Sequence, residues 1–209
     1  IFGGGALFAL LEWNNPGTIG NLTPGGKILA SLFQSVTLRT AGFASFNQDA
    51  LTEASKVLSD LLMFVGGSSG STAGGVKTVT MGLVILSAVS TMRGRRQVTV
   101  FGRSISQEDI SNAVSIALLV MGLSLLGAAV ITVCDGCSFM NAIYETISAL
   151  CTVGLTTGIT PTLCTASKLI LIVFMFFGRV GIMTIGVGFM MGDRAKERVQ
   201  YAQTKVMIG

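Results

Sequence analysis

The chain has 209 residues, half of them hydrophobic and 11% charged, with no histidine, a net charge of +4 and a mean hydropathy of +0.72. Soluble domains carry about 25% charged residues, so this composition cannot cover a water-facing surface and reads as a polytopic membrane protein, all α-helical. Without histidine, and with no nucleophile–base pair, an enzyme is disfavoured. The basic residues are placed in a way that explains +4 without nucleic acid.

In chain order, residues 1–11 form an apolar passage too short to span a bilayer, and with neither Met nor a polar lead-in the chain is expected to start inside a helix. Residues 28–38 make a short apolar piece, followed by a passage over 55–89 that is too long for one plain helix. Residues 110–133 form a passage without Lys, Arg, Asp or Glu. A second short piece covers 139–150, and a final passage over 169–191 is interrupted by one charge, Arg179. A helix spans a bilayer in roughly 20 residues, so the two short pieces are expected to be re-entrant or interfacial. Of fourteen Lys and Arg, eight lie in two clusters, Arg93, Arg95, Arg96, Arg103 and Arg194, Lys196, Arg198, Lys205, with none from 104 to 167. The positive-inside rule puts both clusters and the C-terminus in the cytoplasm, and the short pieces then face outward.

The chain also matches itself at an offset of 112 residues. SVTLRTAGF (35–43) lies over ISALCTVGL (147–155), and LTEASKVLSDLLMFVGG (51–67) over LCTASKLILIVFMFFGR (163–179). Between 38 and 74, twelve of 37 positions are identical, including a Thr-x-Gly and an Ala-Ser-Lys in one register. Two crossings per copy make the repeats parallel, which disfavours inverted-repeat carriers. The first unit is residues 1–104, with a truncated first helix, a pore helix over 28–38, a filter over 40–43 and a broken second helix over 55–91. The second is 105–209, with a helix over 110–133, a pore helix over 139–150, a filter over 152–155, a helix over 166–191 and a cytoplasmic tail over 192–209.

The loops after the short helices, Thr40-Ala41-Gly42-Phe43 and Thr152-Val153-Gly154-Leu155, carry the chemistry. A dehydrated cation needs oxygen ligands, and backbone carbonyls turned toward a pore axis supply them. Turning them inward takes unusual dihedrals that glycine tolerates, and a helix C-terminus adds its negative dipole end.

This unit, together with LMFVGGSSGSTAGGVKT (62–78), FMFFGRVG (174–181) and YAQTKVMIG (201–209), resembles the Trk/Ktr/HKT superfamily of potassium transporters, in particular the Ktr-type membrane subunit. The resemblance implies four repeats around one pore, these two being the third and fourth, with two more upstream. It implies a multi-pass bacterial cell-membrane protein that takes up K+ through a gated filter, a homodimer in membrane lipid, and a cytosolic nucleotide-binding ring that senses ATP or ADP. It also implies Na+ as an activator of flux. One Gly per filter segment implies weaker discrimination against sodium, and in related plant transporters Gly at such positions goes with potassium and Ser with sodium. The rival readings are a sodium- or proton-coupled potassium carrier, with the absence of intramembrane acids and histidine counting mildly against a proton relay, and a non-conducting structural or receptor-like subunit.

The stretch GGSSGSTAGGVKT (66–78) is not a phosphate loop, because Val76 separates Gly75 from Lys77 and the flanks are membrane passages. Irregular polar backbone at membrane depth survives only where protein or water satisfies it. Gly66, Gly67, Ser68, Ser69, Gly70, Ser71, Thr72, Ala73, Gly74 and Gly75 are therefore expected to break the helix. By the resemblance they form a gate loop across the pore beneath the filter. Lys77 is expected either in or beside the pore or capping the carbonyls of the broken helix. A lone charge such as Arg179 costs about 2.5–3.5 kcal/mol at mid-span. It reads either as half of a structural ion pair or, by the resemblance, as a pore barrier to cations. Asp60 is expected to pair with Lys56 at i−4, and Arg39 to brace the filter from behind. Glu145 either braces its filter or concentrates cations at the mouth. Cys134 and Cys137 form a C-x-x-C without a nearby histidine, so neither zinc nor thioredoxin chemistry is expected.

Overall fold

The computed structural model describes residues 1–180 except 69, 72, 95, 96, 101 and 102; the end of the 166–191 helix, the tail and its basic cluster lie outside the described residues, as do Ser69 and Thr72 of the loop. The order is α1 (Phe2–Glu12), α2 (Pro24–Thr37), α3 (Glu53–Phe64), α4 (Thr78–Met92), a two-stranded hairpin of β1 (Thr99–Val100) and β2 (Arg103–Ser104), α5 (Gln107–Asp135), α6 (Phe139–Leu150) and α7 (Thr165–Val180).

Local chemistry sets these bounds. The short helix expected from 28 starts earlier, at Pro24, because Thr23 caps it by accepting from the Gly26 amide and proline suits the first helical turn. The helix expected over 110–133 is longer, since Ser106 caps it at Asp109 and Gly136, at φ +65°, ends it. At 29 residues and 1.5 Å per residue, α5 is about 43 Å long. Among the described residues it is the one helix long and apolar enough to cross a membrane alone. The broken passage drawn over 55–91 resolves into α3, capped by Thr52, and α4, with the described residues between them non-helical. The small hairpin between α4 and α5 gives no signal in the sequence.

α6 sits at the centre, packed against α5, α7 and α3, while α1 packs on α2 and α3, and α4 on α5. Phe8, Leu38, Met63, Val76, Tyr144 and Leu150 anchor the core. Small residues let helices approach: a Cβ on Gly127 of α5 would strike the Phe174 ring of α7. Leu118 and Leu126 of α5 and Phe176 of α7 are more than 60% exposed, an apolar exterior suited to lipid.

Candidate functional site

The two Thr-x-Gly segments follow α2 and α6 in the same backbone conformation. Thr40 and Thr152 have φ of +66° and +56°, and Gly42 and Gly154 have φ of +78° and +88°. Among the described residues these threonines are the two non-glycine positions with positive φ. Such a conformation costs a β-branched residue about 1–3 kcal/mol and persists only where its surroundings impose it. Here the preceding helix imposes it. The Ala41 and Gly42 amides donate to the Thr37 carbonyl at 3.1 and 3.2 Å, and the Val153 amide to the Ser148 carbonyl at 2.9 Å. Thr37 Oγ1 donates to the Phe43 carbonyl and accepts from the Phe43 amide (2.7 and 2.8 Å), while Ser148 Oγ donates to the Leu155 carbonyl at 2.6 Å. The segments touch: a Cβ on Gly42 would run into the Val153 carbonyl oxygen.

Glu145 is 5% exposed. Its Oε1 accepts from Thr156 Oγ1 (2.6 Å), the Thr157 amide (2.9 Å) and Thr157 Oγ1 (3.1 Å), and its Oε2 from Thr160 Oγ1 (2.9 Å). Of the two roles open to it, bracing is the one this geometry serves. The first segment is supported differently, by a buried Gln34–Gln48 pair (2.6 Å) that Tyr144 joins by donating to Gln48 Oε1 at 3.1 Å. The sequence reading missed these three residues. It also missed Glu12, whose buried carboxylate accepts from Thr18, from Asn15 and from the Thr52 amide and hydroxyl, tying α1 to the start of α3. A threonine or glutamine gives no periodic signal; a lone acid ending an apolar helix, as at Glu12, is the cue that was available.

The non-helical segment makes a closed loop. The Gly66 amide donates to the Val76 carbonyl (2.9 Å), the Val76 amide to the Phe64 carbonyl (3.1 Å) and the Thr78 amide to the Gly67 carbonyl (3.1 Å), with Val65 and Val76 in a parallel bridge. The chain therefore leaves and resumes in the same direction. Gly70 and Gly75, at φ +83° and +73°, make its turns, and Ser71 donates to the Ser68 carbonyl at 2.7 Å. Lys77 Nζ donates to the carbonyls of Ser71 (2.7 Å) and Ala73 (2.8 Å), so it caps backbone carbonyls of the loop. The loop also meets the second Thr-x-Gly segment and the residue that precedes the first. The Gly74 amide donates to Thr152 Oγ1 at 3.0 Å, and Arg39 Nη1 reaches the Gly66 carbonyl at 3.5 Å. Arg39 thus contacts the loop instead of bracing its filter from behind. A position beside Thr40 lets a long guanidinium side chain bridge to Gly66.

Arg179, near the end of α7, lines a cavity of about 490 Å³ together with Thr152, Gly154, Thr156 and Glu145. A second correction concerns Lys56. It donates to Asp49 (3.3 Å) and Asn141 (2.9 Å), not to Asp60. Helical side chains lean toward the N-terminus, so Lys56 points to the N-terminal end of α3 while Asp60 lies a turn further along it. Asp60 is 8% exposed and its Oδ1 has no partner in the described structure. That buried acid weakens the argument from absent acids against proton coupling, while histidine is still absent. Cys134 and Cys137 are free thiols, and burial, more than the neighbouring Asp135 and Glu145 carboxylates, pushes the Cys137 thiol up.

Comparison with known proteins follows the same lines. The family model for TrkH, described as a cation transport protein, matches residues 5–197. The Ktr system potassium uptake protein B of Bacillus subtilis is 38% identical over 96% of this chain and 44% of its own length. The protein of the same name from Vibrio alginolyticus is 35% identical over 99% of this chain and 45% of its own. The potassium/sodium uptake protein NtpJ of Enterococcus hirae is 34% identical over 100% and 47%. The crystal structure of the potassium transporter TrkH from Vibrio parahaemolyticus superposes with a TM-score of 0.72 at 22% identity, over 88% of this chain and 41% of that one. The fold is thus that of a helical membrane transporter, and the chain spans less than half the length of these curated relatives.

Proposed function

The chain belongs to the TrkH family of cation transport proteins, and we propose that it forms part of a selective, gated pore for potassium uptake, as the membrane subunit of a Ktr/Trk-type system. The observation that carries this reading is the duplicated Thr-x-Gly turn, with threonine and glycine both at positive φ after each short helix. Left-handed residues alternating with ordinary ones can turn successive carbonyls to one side, as a cation filter requires. In this reading residues 40–43 and 152–155 line the filter, the 66–75 loop lies beneath it as the gate, and Arg179 faces the same path as a barrier. The two units are the third and fourth of four parallel repeats. The membrane subunit pairs as a homodimer, a cytosolic ring that binds ATP or ADP moves the gate, and sodium stimulates flux. The names of the relatives, a Ktr system protein and a potassium/sodium uptake protein, support potassium as cargo and a multi-component assembly.

The test uses the full-length protein in a bacterium lacking its own potassium uptake. Gly42→Ser and Gly154→Ser are expected to lower growth on limiting potassium and to raise the sodium-to-potassium permeation ratio. Unchanged growth and ratio in both would refute the filter. Asp60 supports a second reading, a proton-coupled carrier, because a buried carboxyl whose Oδ1 has no hydrogen-bond partner among the described residues can exchange a proton. Currents far above carrier turnover, with a pH dependence that Asp60→Asn leaves alone, would exclude it.

A further inference from the structure

Of the two filter threonines, Thr152 is the one that holds the loop; the Thr40 hydroxyl makes no hydrogen bond with any described residue. The Thr152 side chain is fixed from two sides by glycines. A Cβ on Gly74 of the loop would strike its Oγ1, and a Cβ on Gly178 of α7 would lie 3.0 Å from its Cγ2. At φ +56° glycine or asparagine would be less strained than a β-branched residue. What threonine adds at this position is a hydroxyl held in one direction, accepting from the Gly74 amide at 3.0 Å. The same residue lines the cavity that contains Gly154 and Arg179. Thr152 therefore stands between the loop and the open face of the filter.

We propose that the Thr152 hydroxyl oxygen is the seat of the loop and is shared between the Gly74 amide and a dehydrated monovalent cation at the inner end of the filter, so that the cation unseats the loop. This rests on the pore reading above and adds the regulation of that site. A hydroxyl has two lone pairs, so both partners can approach it. An amide hydrogen and a cation converging on one oxygen repel each other, and the repulsion is strong where water is scarce. Arrival of the permeant ion then weakens the bond that closes its own path. Thr152 and Gly74 are positioning residues for the loop.

The experiment follows a cysteine placed at Ser71, an exposed loop residue whose hydroxyl bonds only within the loop. Full-length protein carrying Ser71→Cys is reconstituted in vesicles and treated with a water-soluble maleimide; the rate of protein with Ser71 intact is subtracted. Labelling is expected to be about fivefold faster in KCl than in equal N-methyl-D-glucamine chloride, the factor one net hydrogen bond supplies. Thr152→Val and Gly74→Ala should each label at the fast rate in both salts, and Thr152→Ser should restore the dependence on potassium. Because both variants remove one contact, the double variant should label no faster than either alone. Equal rates in the two salts for Ser71→Cys alone, retained potassium dependence in Thr152→Val, or additive effects in the double variant overturn the proposal. The first comparison needs no change at either seat residue. If Gly42→Ser and Gly154→Ser shift the ion ratio while labelling ignores potassium, only this proposal fails; if they are silent, the pore reading fails first.

Discussion

Glu145 is held by its neighbours to the point where its removal has a calculable cost. Three threonines and one backbone amide donate to it. Glu145→Ala leaves the buried Thr157 amide and hydroxyl without an acceptor, a penalty of about 1–3 kcal/mol. It should appear as a lower melting temperature of the full-length protein in detergent, with Thr157→Val losing less because only one donor goes. The C-x-x-C offers a second residue-scale check. Cys134 is exposed, whereas burial raises the pKa of the Cys137 thiol and so lowers its thiolate fraction at neutral pH. A maleimide should therefore modify Cys134 before Cys137, and raising the pH should narrow the difference; equal rates at neutral pH would contradict the burial. At this scale the sequence was partly legible. Thr40, Gly42, Thr152 and Gly154 share a repeat register, and their dihedrals share a conformation. Lys56 was misread because an i+4 acid is visible in a sequence, while Asp49 and Asn141 come near only through the fold.

Among the elements, α5 makes the plainest prediction. Leu126 lies on its exposed face, so Leu126→Arg should cost about 2.5–3.5 kcal/mol in a translocon insertion assay of this segment. Insertion unaffected by the arginine would mean that this face does not meet lipid. The loop makes another. Lys77→Met removes the donor that caps two loop carbonyls, and deletion of residues 67–74 removes the loop itself. Both are expected to raise flux without an activating nucleotide, the deletion more, and unchanged flux would sink the gate. Element positions were readable where apolar runs coincide with helices, as for α6. They were misjudged where a polar signal sets the boundary. Thr23-Pro24 begins α2 four residues before its first large apolar side chain, and Ser106 begins α5 four residues before Ile110.

For the molecule as a whole, the basic residues and the repeats predict one topology. A membrane-impermeant maleimide added outside intact cells should reach Cys134, and a cysteine replacing exposed Arg93 should react only after the membrane is opened. The opposite pattern would invert every element and place the loop on the outside. The two matching Thr-x-Gly turns were legible because the 112-residue offset preserves whole triplets. Their different supports were not: the second turn has a carboxylate and threonines behind it, the first a glutamine pair. Repeats retain register longer than they retain the side chains packed behind it.

Among the described residues, the contacts that hold the loop have one property in common: each ends on a loop main-chain atom. Arg39 takes the Gly66 carbonyl, Lys77 those of Ser71 and Ala73, and Thr152 the Gly74 amide. Outside its glycines, the loop can therefore change its letters cheaply but not its count. In a library spanning this segment, Ser68→Ala or Ser71→Ala should survive selection for regulated uptake. A single inserted or deleted residue, which shifts every tethered atom by one position, should be lost.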